Sequence, residues 1–393
     1  MPSAEQVSKR PGTTLDVTSE GAKAIQTNGT GWKETTACCA TSRAVHLVSP
    51  IDDPRWDEYL KRSSGASLFH CAAWLEALRQ TYGYEPVVYT TASPGERLEN
   101  GVVCCRVQSR LTGRRLVSLP FSDHCQPLAD DAEDLAALLT ALEDELCTKG
   151  WRYFEVRPLI PLGLHGSGWH TAAVYLHHQI DLQPDLAQLF SNLHRDSVQR
   201  KIRRAEREGL TYLAGATESL LDSFYGLMVK TRRRHGVPPQ PKKWFQSLMD
   251  CFGDALQIRI ALQGTKPIAA MLTIRYKNTL VYKYGGSDVS YSRLGGMHLL
   301  YWNSIQDAKR WGLRFFDLGR TDVQQAGLVI FKKRWGAVES AISYSRYTNS
   351  AGWAHSFELA RPNWKTKTAQ FVFSHSPDRL LAILGNLLYR HFG

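Results

Sequence analysis

The segment GLVIFKKRWG, residues 327–336, sets two lysines, Lys332 and Lys333, behind an apolar run. Apolar neighbours let one of the pair turn inward while the other and Arg334 meet water. An ammonium enclosed beside an acyl carbonyl would stabilise the negative oxygen that forms as an amine attacks, and that interaction is worth more in a closed pocket than in water. The competing reading is a solvated turn around Trp335. In SLPFSDHCQPLAD, Asp123 and His124 follow a strand-like run. An acid and an imidazole there can orient or deprotonate an amine, and can equally cap a helix or loop.

Two further stretches suit anions. In HRDSVQRKIRRAEREG, residues 194–209, Val198, Ile202 and Ala205 recur at intervals of four and three. They form one buried stripe, with Arg200, Lys201, Arg203, Arg204 and Arg207 around it. Glu206 and Glu208 dilute that charge and pair along the helix. Such a helix fits a solvated structural role, a phosphorylated or membrane-linked substrate, or RNA. In SYSRLGGMHLLYWNSIQDAKRWG, Gly295 and Gly296 join a strand to a helix. Glycines there let backbone N–H groups approach a pyrophosphate at the helix start. They also suit a tight turn before a packing helix with Leu299, Trp302 and Ile305 in the core.

Other chemistries are disfavoured. His165, His170, His177 and His178 lack an HExxH pattern or carboxylates at ligand spacing, so no metal is expected. No GxSxG elbow or Cys–His signal points to hydrolysis. The eight cysteines have neither zinc-site spacing nor the density of a small secreted scaffold, and read as free thiols in a reducing compartment. No apolar run reaches the roughly 18 residues of a membrane span, and the start lacks a signal-peptide core. A cytoplasmic protein is expected, with peripheral membrane contact left open. The 48 Lys and Arg against 37 Asp and Glu give a net charge of +11, which favours anionic partners without naming one. No zinc-finger spacing, strand–aromatic code or extended basic tract supports nucleic-acid reading.

The positioning elements follow from periodicity. Residues 1–44 are poor in large apolar side chains and read as a mobile tail. From there to about 180 the pattern gives strand, two helices, a hairpin (PVVYTTA with NGVVCCRVQ), a further strand, the helix DDAEDLAALLTALEDELCTKG and two more strands. A second series repeats that order: helices at about 194–209, 217–235 and 241–251, three strands turning at Gly264, the helix after Gly296, the strand LRFFDLG and a last run at AISYSRY. The end, PDRLLAILGNLLYRHF, spaces Leu380, Leu381, Leu384, Leu387 and Leu388 as an amphipathic helix that packs on the body or rests on a membrane.

Taken in order, FHCAAWLEALRQTYGY, RLVSLPFSDHCQPLAD, SVQRKIRRAEREGL, YSRLGGMHLLYWNSIQDAKRWGLRFFDLGR and GLVIFKKRWG resemble the Fem-type, CelD-like acyltransferases, especially the branch accompanying bacterial exopolysaccharide and PEP-CTERM export systems. The resemblance spans residues 45–350. It implies an α+β fold of tandem GNAT-like domains (the acyl-CoA N-acyltransferase fold), mixed central sheets flanked by helices. The first domain is then 45–180 and the second 181–350, carrying the acyltransferase motifs, followed by a helical extension over 351–393 that packs back on the body.

The implied activity is transfer of an acetyl or other acyl group to an amine of a small-molecule or lipid-linked glycan or cell-envelope precursor. The donor would be acetyl-CoA or another acyl-CoA, or aminoacyl-tRNA as in the peptidoglycan-bridge enzymes. Phe331 and Lys332 match the Phe–Lys pair that lies near the transferred acyl group in those enzymes. Asp123 would orient the acceptor, and His124, Arg200, Lys201, Arg203 and Arg204 would meet substrate phosphate, no single one being selected. Arg293, Gly295 and Gly296 would hold the donor. Arg293-Leu294-Gly295-Gly296-Met297 departs, however, from the coenzyme-binding spacing of Arg or Gln, two variable positions, Gly, one variable position, and Gly or Ala. The long coiled-coil insertion of some tRNA-using relatives is missing. A monomer, no DNA partner and no metal are expected; a non-catalytic RNA-binding protein is the reading from a different class.

Overall fold

The computed structural model describes residues 43–164, 166–348 and 367–391. The expected tail, His165 and the start of the C-terminal extension thus lie outside the described residues, save Arg43 and Ala44. The first half of the chain runs β1 (His46–Val48), α1 (Pro54–Arg62), α2 (Ala72–Tyr82), β2 (Glu85–Thr90), β3 (Val102–Ser109), β4 (Gly113–Ser118), α3 (Ala132–Lys149), β5 (Phe154–Val156) and β6 (Trp169–Asp181). The second half runs α4 (Leu186–Asn192), α5 (Arg200–Arg207), β7 (Thr211–Gly215), α6 (Glu218–Arg234), α7 (Lys242–Phe252), β8 (Leu256–Gln263), β9 (Lys266–Tyr276), β10 (Thr279–Ser287), α8 (Gly296–Arg310), β11 (Phe315–Asp322), α9 (Ala326–Lys333) and β12 (Val338–Tyr347). Two short helices, Lys367–His375 and Asp378–Leu388, close the described chain.

Local chemistry sets the boundaries. The Asp53 carboxylate accepts from the Arg55 N–H and Pro54 takes the first helical position, so α1 starts where its donors are met or absent. Asp131 caps α3 in the same way, and Gly150 in the left-handed region ends it. The expected helix over 194–209 is interrupted: residues Arg195–Gln199 form a π-helical turn before α5. Its apolar stripe is as expected, with Val198, Ile202 and Ala205 buried.

All twelve strands form one sheet in the order β1-β2-β3-β4-β5-β12-β6-β11-β10-β9-β8-β7. Each half contributes an antiparallel meander followed by a parallel neighbour, β4 beside β5 and β10 beside β11. The last strand of each half then crosses over. β6 pairs antiparallel with β11 of the second half, while β12 pairs with β5 of the first half and with β6 along its other edge. The boundary near residue 180 therefore follows the chain but not the sheet, and the described residues cluster as one compact unit. Sequence periodicity places strands but carries no signal for which half a strand joins.

Alternation along the strands divides the core. Val88, Val103, Cys105, Ala270 and Leu272 point to one face, where α1 and α2 of the first half meet α6 and α7 of the second. Trp74 and Trp244 join the two helix pairs edge to face, their centroids 5.2 Å apart. On the other face, Val87, Tyr89 and Cys104 pack under α3, while Met271, Leu280 and Phe316 pack under α5 and α8.

The exchanged strand β12 is held to β5 by charge as well as by its ladder. Glu155 of β5 is buried between Arg157 at 2.8 Å and Arg346 of β12 at 2.5 Å. Burial would raise this carboxyl, but Arg346 and Arg157 overcome it and hold the group down at about 2. Glu155→Gln leaves two guanidinium groups without their carboxylate and should cost about 3–5 kcal/mol in urea unfolding at neutral pH. Because the folded value is depressed, the wild-type contribution is complete above the ordinary value of 4.5 and disappears as pH falls toward about 2. The variant should lack this acid-dependent component.

Candidate active site

The two crossing strands bring together ionisable side chains that lie far apart in sequence. β10 and β11 pair only over Thr279–Val281 and Phe315–Asp317, and each is irregular just beyond. In β10 the register against β9 slips between Tyr282 and Tyr284, which leaves Lys283 as the extra residue of a bulge. In β11, Asp317 lies opposite Gln179 and Arg320 opposite His177, so three steps on β11 match two on β6. That extra residue turns Asp317 and Arg320 toward the same face. Gly319, in the bulge, has φ +70°, and a Cβ there would come within 3.0 Å of Asp123 Oδ2. Only glycine allows both that conformation and that approach.

Asp123 and His124 arrive on the loop after β4. Phe121, just before them, has φ 58° and packs its ring against Tyr82 and Trp244, fixing the loop to both halves. Tyr344 of β12 donates to the Asp123 backbone carbonyl at 2.7 Å. Lys283 Nζ lies 2.9 Å from Asp123 Oδ2, and Arg320 Nε lies 3.7 Å from Oδ1. Burial pushes the Asp123 carboxyl up, but these two cations leave it below its ordinary value. Burial lowers Lys283 despite Asp123.

Asp317 binds the second layer of the cluster. Its Oδ1 accepts from His177 Nε2 at 2.9 Å and from the Gly319 N–H at 2.7 Å, and Oδ2 lies 3.7 Å from His124 Nε2. Burial would raise Asp317; the charge of His177 and the bonds to His124 and His177 hold it well below the carboxylate range. Burial would likewise lower His177, but Asp317 raises it above its ordinary value. A cavity of about 400 Å³ adjoins this layer, with His124, His177 and Asp317 in its wall and Ser67, Gln126 and Lys277 around it.

Lys332 is the inward lysine. It is 2% exposed at the end of α9, a helix where a turn was the competing reading, and its ammonium donates to the carbonyls of Gly319 at 2.9 Å and Arg320 at 3.2 Å. An ammonium has three N–H donors, so one stays unassigned among the described residues. Burial pushes Lys332 down to about 8, with Asp123 and Asp317 opposing. Lys333 faces outward to Glu339 at 3.1 Å. Phe331 packs its ring edge against His298 and Tyr301, beside Lys332 rather than among the charges.

The remaining expected residues sit apart from this cluster. Arg200 pairs with Asp196, Arg204 with Glu208, and Arg203 lies over the Phe190 ring. Lys201 is the member of the four without an acid or aromatic partner among the described residues. Its charge adds to burial in pushing His298 down to about 4, so it lies near the Phe331 side of the site. Both glycines have packing reasons: a Cβ at Gly295 would meet the Lys201 carbonyl at 2.5 Å, and one at Gly296 would meet Ala269 at 3.1 Å. No side-chain hydrogen bond caps α8 among the described residues, Gly295 and Gly296 are both buried, and Arg293 is exposed just before them.

Lys283, Asp317, Arg320 and the His177 contact escaped the sequence reading. A glycine within the strand-like DLGR and a lysine between Tyr282 and Tyr284 were the available signals for bulges. Among the described residues, His124, His177 and Asp317 form a group whose ligand atoms all lie within 4.8 Å of one another, a geometry that could hold a metal ion and that takes in neither His178 nor His170. Asp317→Asn should let burial dominate at His177, so NMR titration should move its midpoint from above 6.5 to below it. An unchanged midpoint would contradict this account.

Residues 192–327 match an acetyltransferase (GNAT) domain family, a window that includes Lys201, Gly295 and Asp317 and stops before Lys332. A UDP-N-acetylmuramoylpentapeptide-lysine N(6)-alanyltransferase of Weissella viridescens is 28% identical over 97 residues, covering 24% of this chain and 29% of that protein. The crystal structure of FemX superposes with a TM-score of 0.61 at 14% identity, over 78% of this chain and 97% of that one. A tandem GNAT protein from the clavulanic acid biosynthesis pathway gives 0.50 at 10% identity, over 78% and 99%. The fold is that of two GNAT-type units in tandem, the second carrying an acyltransferase-type domain.

Proposed function

We propose that the protein is an N-acyltransferase that joins an activated acyl group to an amine, with Lys332 as the oxyanion stabiliser. The observation that carries this reading is the unassigned N–H of Lys332, held rigidly by two backbone carbonyls. Around it, three cations, Lys283, Arg320 and Lys332, stand against two carboxylates, Asp123 and Asp317, a balance that favours one more negative charge. Addition of an amine to a carbonyl creates that charge on oxygen.

A neutral amine attacks the carbonyl carbon, the C–N bond forms, and the carbonyl electron pair moves to the oxygen facing Lys332. Collapse restores the carbonyl and expels the donor's leaving group. The amine proton leaves through the linked imidazoles and carboxylate of His124, His177 and Asp317. Asp123, balanced by Lys283 and Arg320, draws the acceptor's positive end before deprotonation. Phosphates of the donor would meet the exposed Arg293 beside the Gly295–Gly296 helix start, and Lys201 would meet a phosphate of the acceptor. An acyl-CoA supplies an activated thioester. The alanyltransferase relative, named for joining an alanyl group to a lysine amine of UDP-N-acetylmuramoylpentapeptide, supports an amine of a cell-envelope precursor as acceptor, and an aminoacyl-tRNA donor is the second reading. A purely RNA-binding role finds less support, since Arg200 and Arg204 of the basic helix are already paired with acids.

With a panel of acyl-CoA donors, charged tRNAs and amine acceptors, mass spectrometry should detect an acylated amine. Lys332→Ala should lower turnover about 10²–10³-fold with the fold intact. The protonated lysine is the active form, so wild-type turnover should fall as pH rises through about 8. Any residual activity of Lys332→Arg should lack that fall, because a guanidinium keeps its proton there. Undiminished turnover in Lys332→Ala would remove the lysine from the reaction, and ribonuclease sensitivity would assign the donor to tRNA.

A further inference from the structure

The end of the described chain carries a surface that the acyl-transfer site does not use. Helix Asp378–Leu388 was expected either to pack its leucines on the body or to rest them on a membrane, and the structure divides that set. Leu381 and Gly385 are buried against the body, while Leu380, Ile383 and Leu387 are 46%, 57% and 56% exposed. These three stand at intervals of three and four, so they form one outward stripe. Phe371 and Val372 of the preceding helix add exposed apolar surface, as does Leu111 at the β3–β4 turn.

The stripe belongs to a rigid part of the molecule. Gly385 lies so close to the Pro239 carbonyl that a side chain would not fit. Tyr389 donates to the Pro238 carbonyl, Tyr84 donates to the Arg390 carbonyl at 3.1 Å, and Arg233 pairs with Asp378 at 2.8 Å. The outward leucines are therefore presented on a fixed helix.

Beyond the last turn lies a polar cleft of about 570 Å³, lined by Tyr82, Arg110, Arg114, Arg390 and His391 among others. Arg110, Arg114 and Arg390 are exposed, and no carboxylate lines the cleft. Tyr82 closes the inner wall of the cleft, its hydroxyl being buried with no hydrogen-bond partner among the described residues. Arg390 lies in the short 3-10 turn Tyr389–His391 that directly follows the helix carrying the stripe. Arg379 flanks the other end and is exposed. An apolar ridge bordered by arginines, ending in a cleft that suits phosphate oxygens, has the chemistry of an anionic lipid surface.

We propose that Leu380, Ile383 and Leu387, with the Arg110, Arg114 and Arg390 cleft, dock the protein on an anionic phospholipid bilayer. The apolar stripe enters the boundary between headgroups and acyl chains, and the cleft takes the phosphate of one headgroup. Net charge +11 strengthens the encounter and makes it dependent on ionic strength. This docking is independent of the acyl-transfer reading: it could fail with that reading intact, and the reverse.

Sedimentation of the full chain with vesicles tests it, using phosphatidylcholine alone and phosphatidylcholine mixed with phosphatidylglycerol. The wild type should partition onto the mixed vesicles, weaken as salt rises, and leave the neutral ones largely unbound. The double change Arg110→Ala and Arg390→Ala should reduce partition roughly 30-fold. The pair Ile383→Glu and Leu387→Glu should reduce it at least about tenfold, with both variants checked for native thermal unfolding. Three outcomes overturn the proposal: no partition onto anionic vesicles at low salt, equal binding to neutral ones, or undiminished binding by the Glu pair. The last would mean that the stripe does not enter the bilayer. A wild-type dimer by light scattering that the Glu pair dissociates would assign the stripe to a second copy instead.

Discussion

Strand β12 can reach β5 only by leaving the half that encodes it, and β6 makes the reverse crossing to β11. Everything at the centre of the molecule depends on that exchange. It places β6 and β12 side by side in the middle of the sheet, so that His177 and Tyr344, from opposite halves, face a loop that neither half could cover alone. Long-range pairing of this kind costs chain entropy, and the return comes from a continuous ladder together with the buried Glu155–Arg346 contact. Each half is completed by a strand of its neighbour, and the buried charges gather at that seam.

The seam is also where buried charge accumulates, and that needs a physical reason. Desolvation disfavours each of Lys283, Lys332, Asp123 and Asp317, and in every case the opposing force is an opposite charge or a backbone dipole supplied by a different element. Asp123 comes from the loop after β4, Lys283 from a β10 bulge, Asp317 and Arg320 from a β11 bulge, and Lys332 from α9. Replacing such a group of charges with apolar side chains generally serves stability as well or better, so its presence is better explained by chemistry than by folding. A lysine near neutrality, anchored by two carbonyls with one donor to spare, suits a site that must meet a transient negative oxygen. A freely moving surface lysine would have to reorganise during the reaction.

Much of this architecture was legible in the residues. The apolar stripe of α5, the cap and terminator of α3, the hairpin at Gly264 and the inward turn of one lysine in FKKRWG all follow from local rules. The resemblance carried the choice of Lys332 over Lys333, and the structure gives that choice its geometry. Three features lay beyond local rules. Strand exchange leaves no trace in periodicity, because β6 and β12 alternate alike whichever half they join. The bulges depend on register, so Lys283 and Arg320 read as ordinary strand residues although Gly319 marked the place. His177 gained its meaning only beside Asp317, some 140 residues later. In the opposite direction, the arginines of α5 carried the most obvious charge signal in the chain, yet Arg200 and Arg204 are spent on neighbouring acids while Lys201 stays uncommitted.

The central claim is that the exchanged strands hold Lys332 where the reacting carbonyl oxygen becomes negative. A crystal structure with a phosphonamidate mimic of the tetrahedral intermediate, joined to whichever acyl donor the protein accepts, tests it most directly. The account predicts an anionic oxygen at roughly 2.7–3.1 Å from Lys332 Nζ, with the Gly319 and Arg320 carbonyl contacts kept. A mimic bound with its phosphorus oxygens turned away from Lys332, or seated outside the seam between the halves, would contradict it.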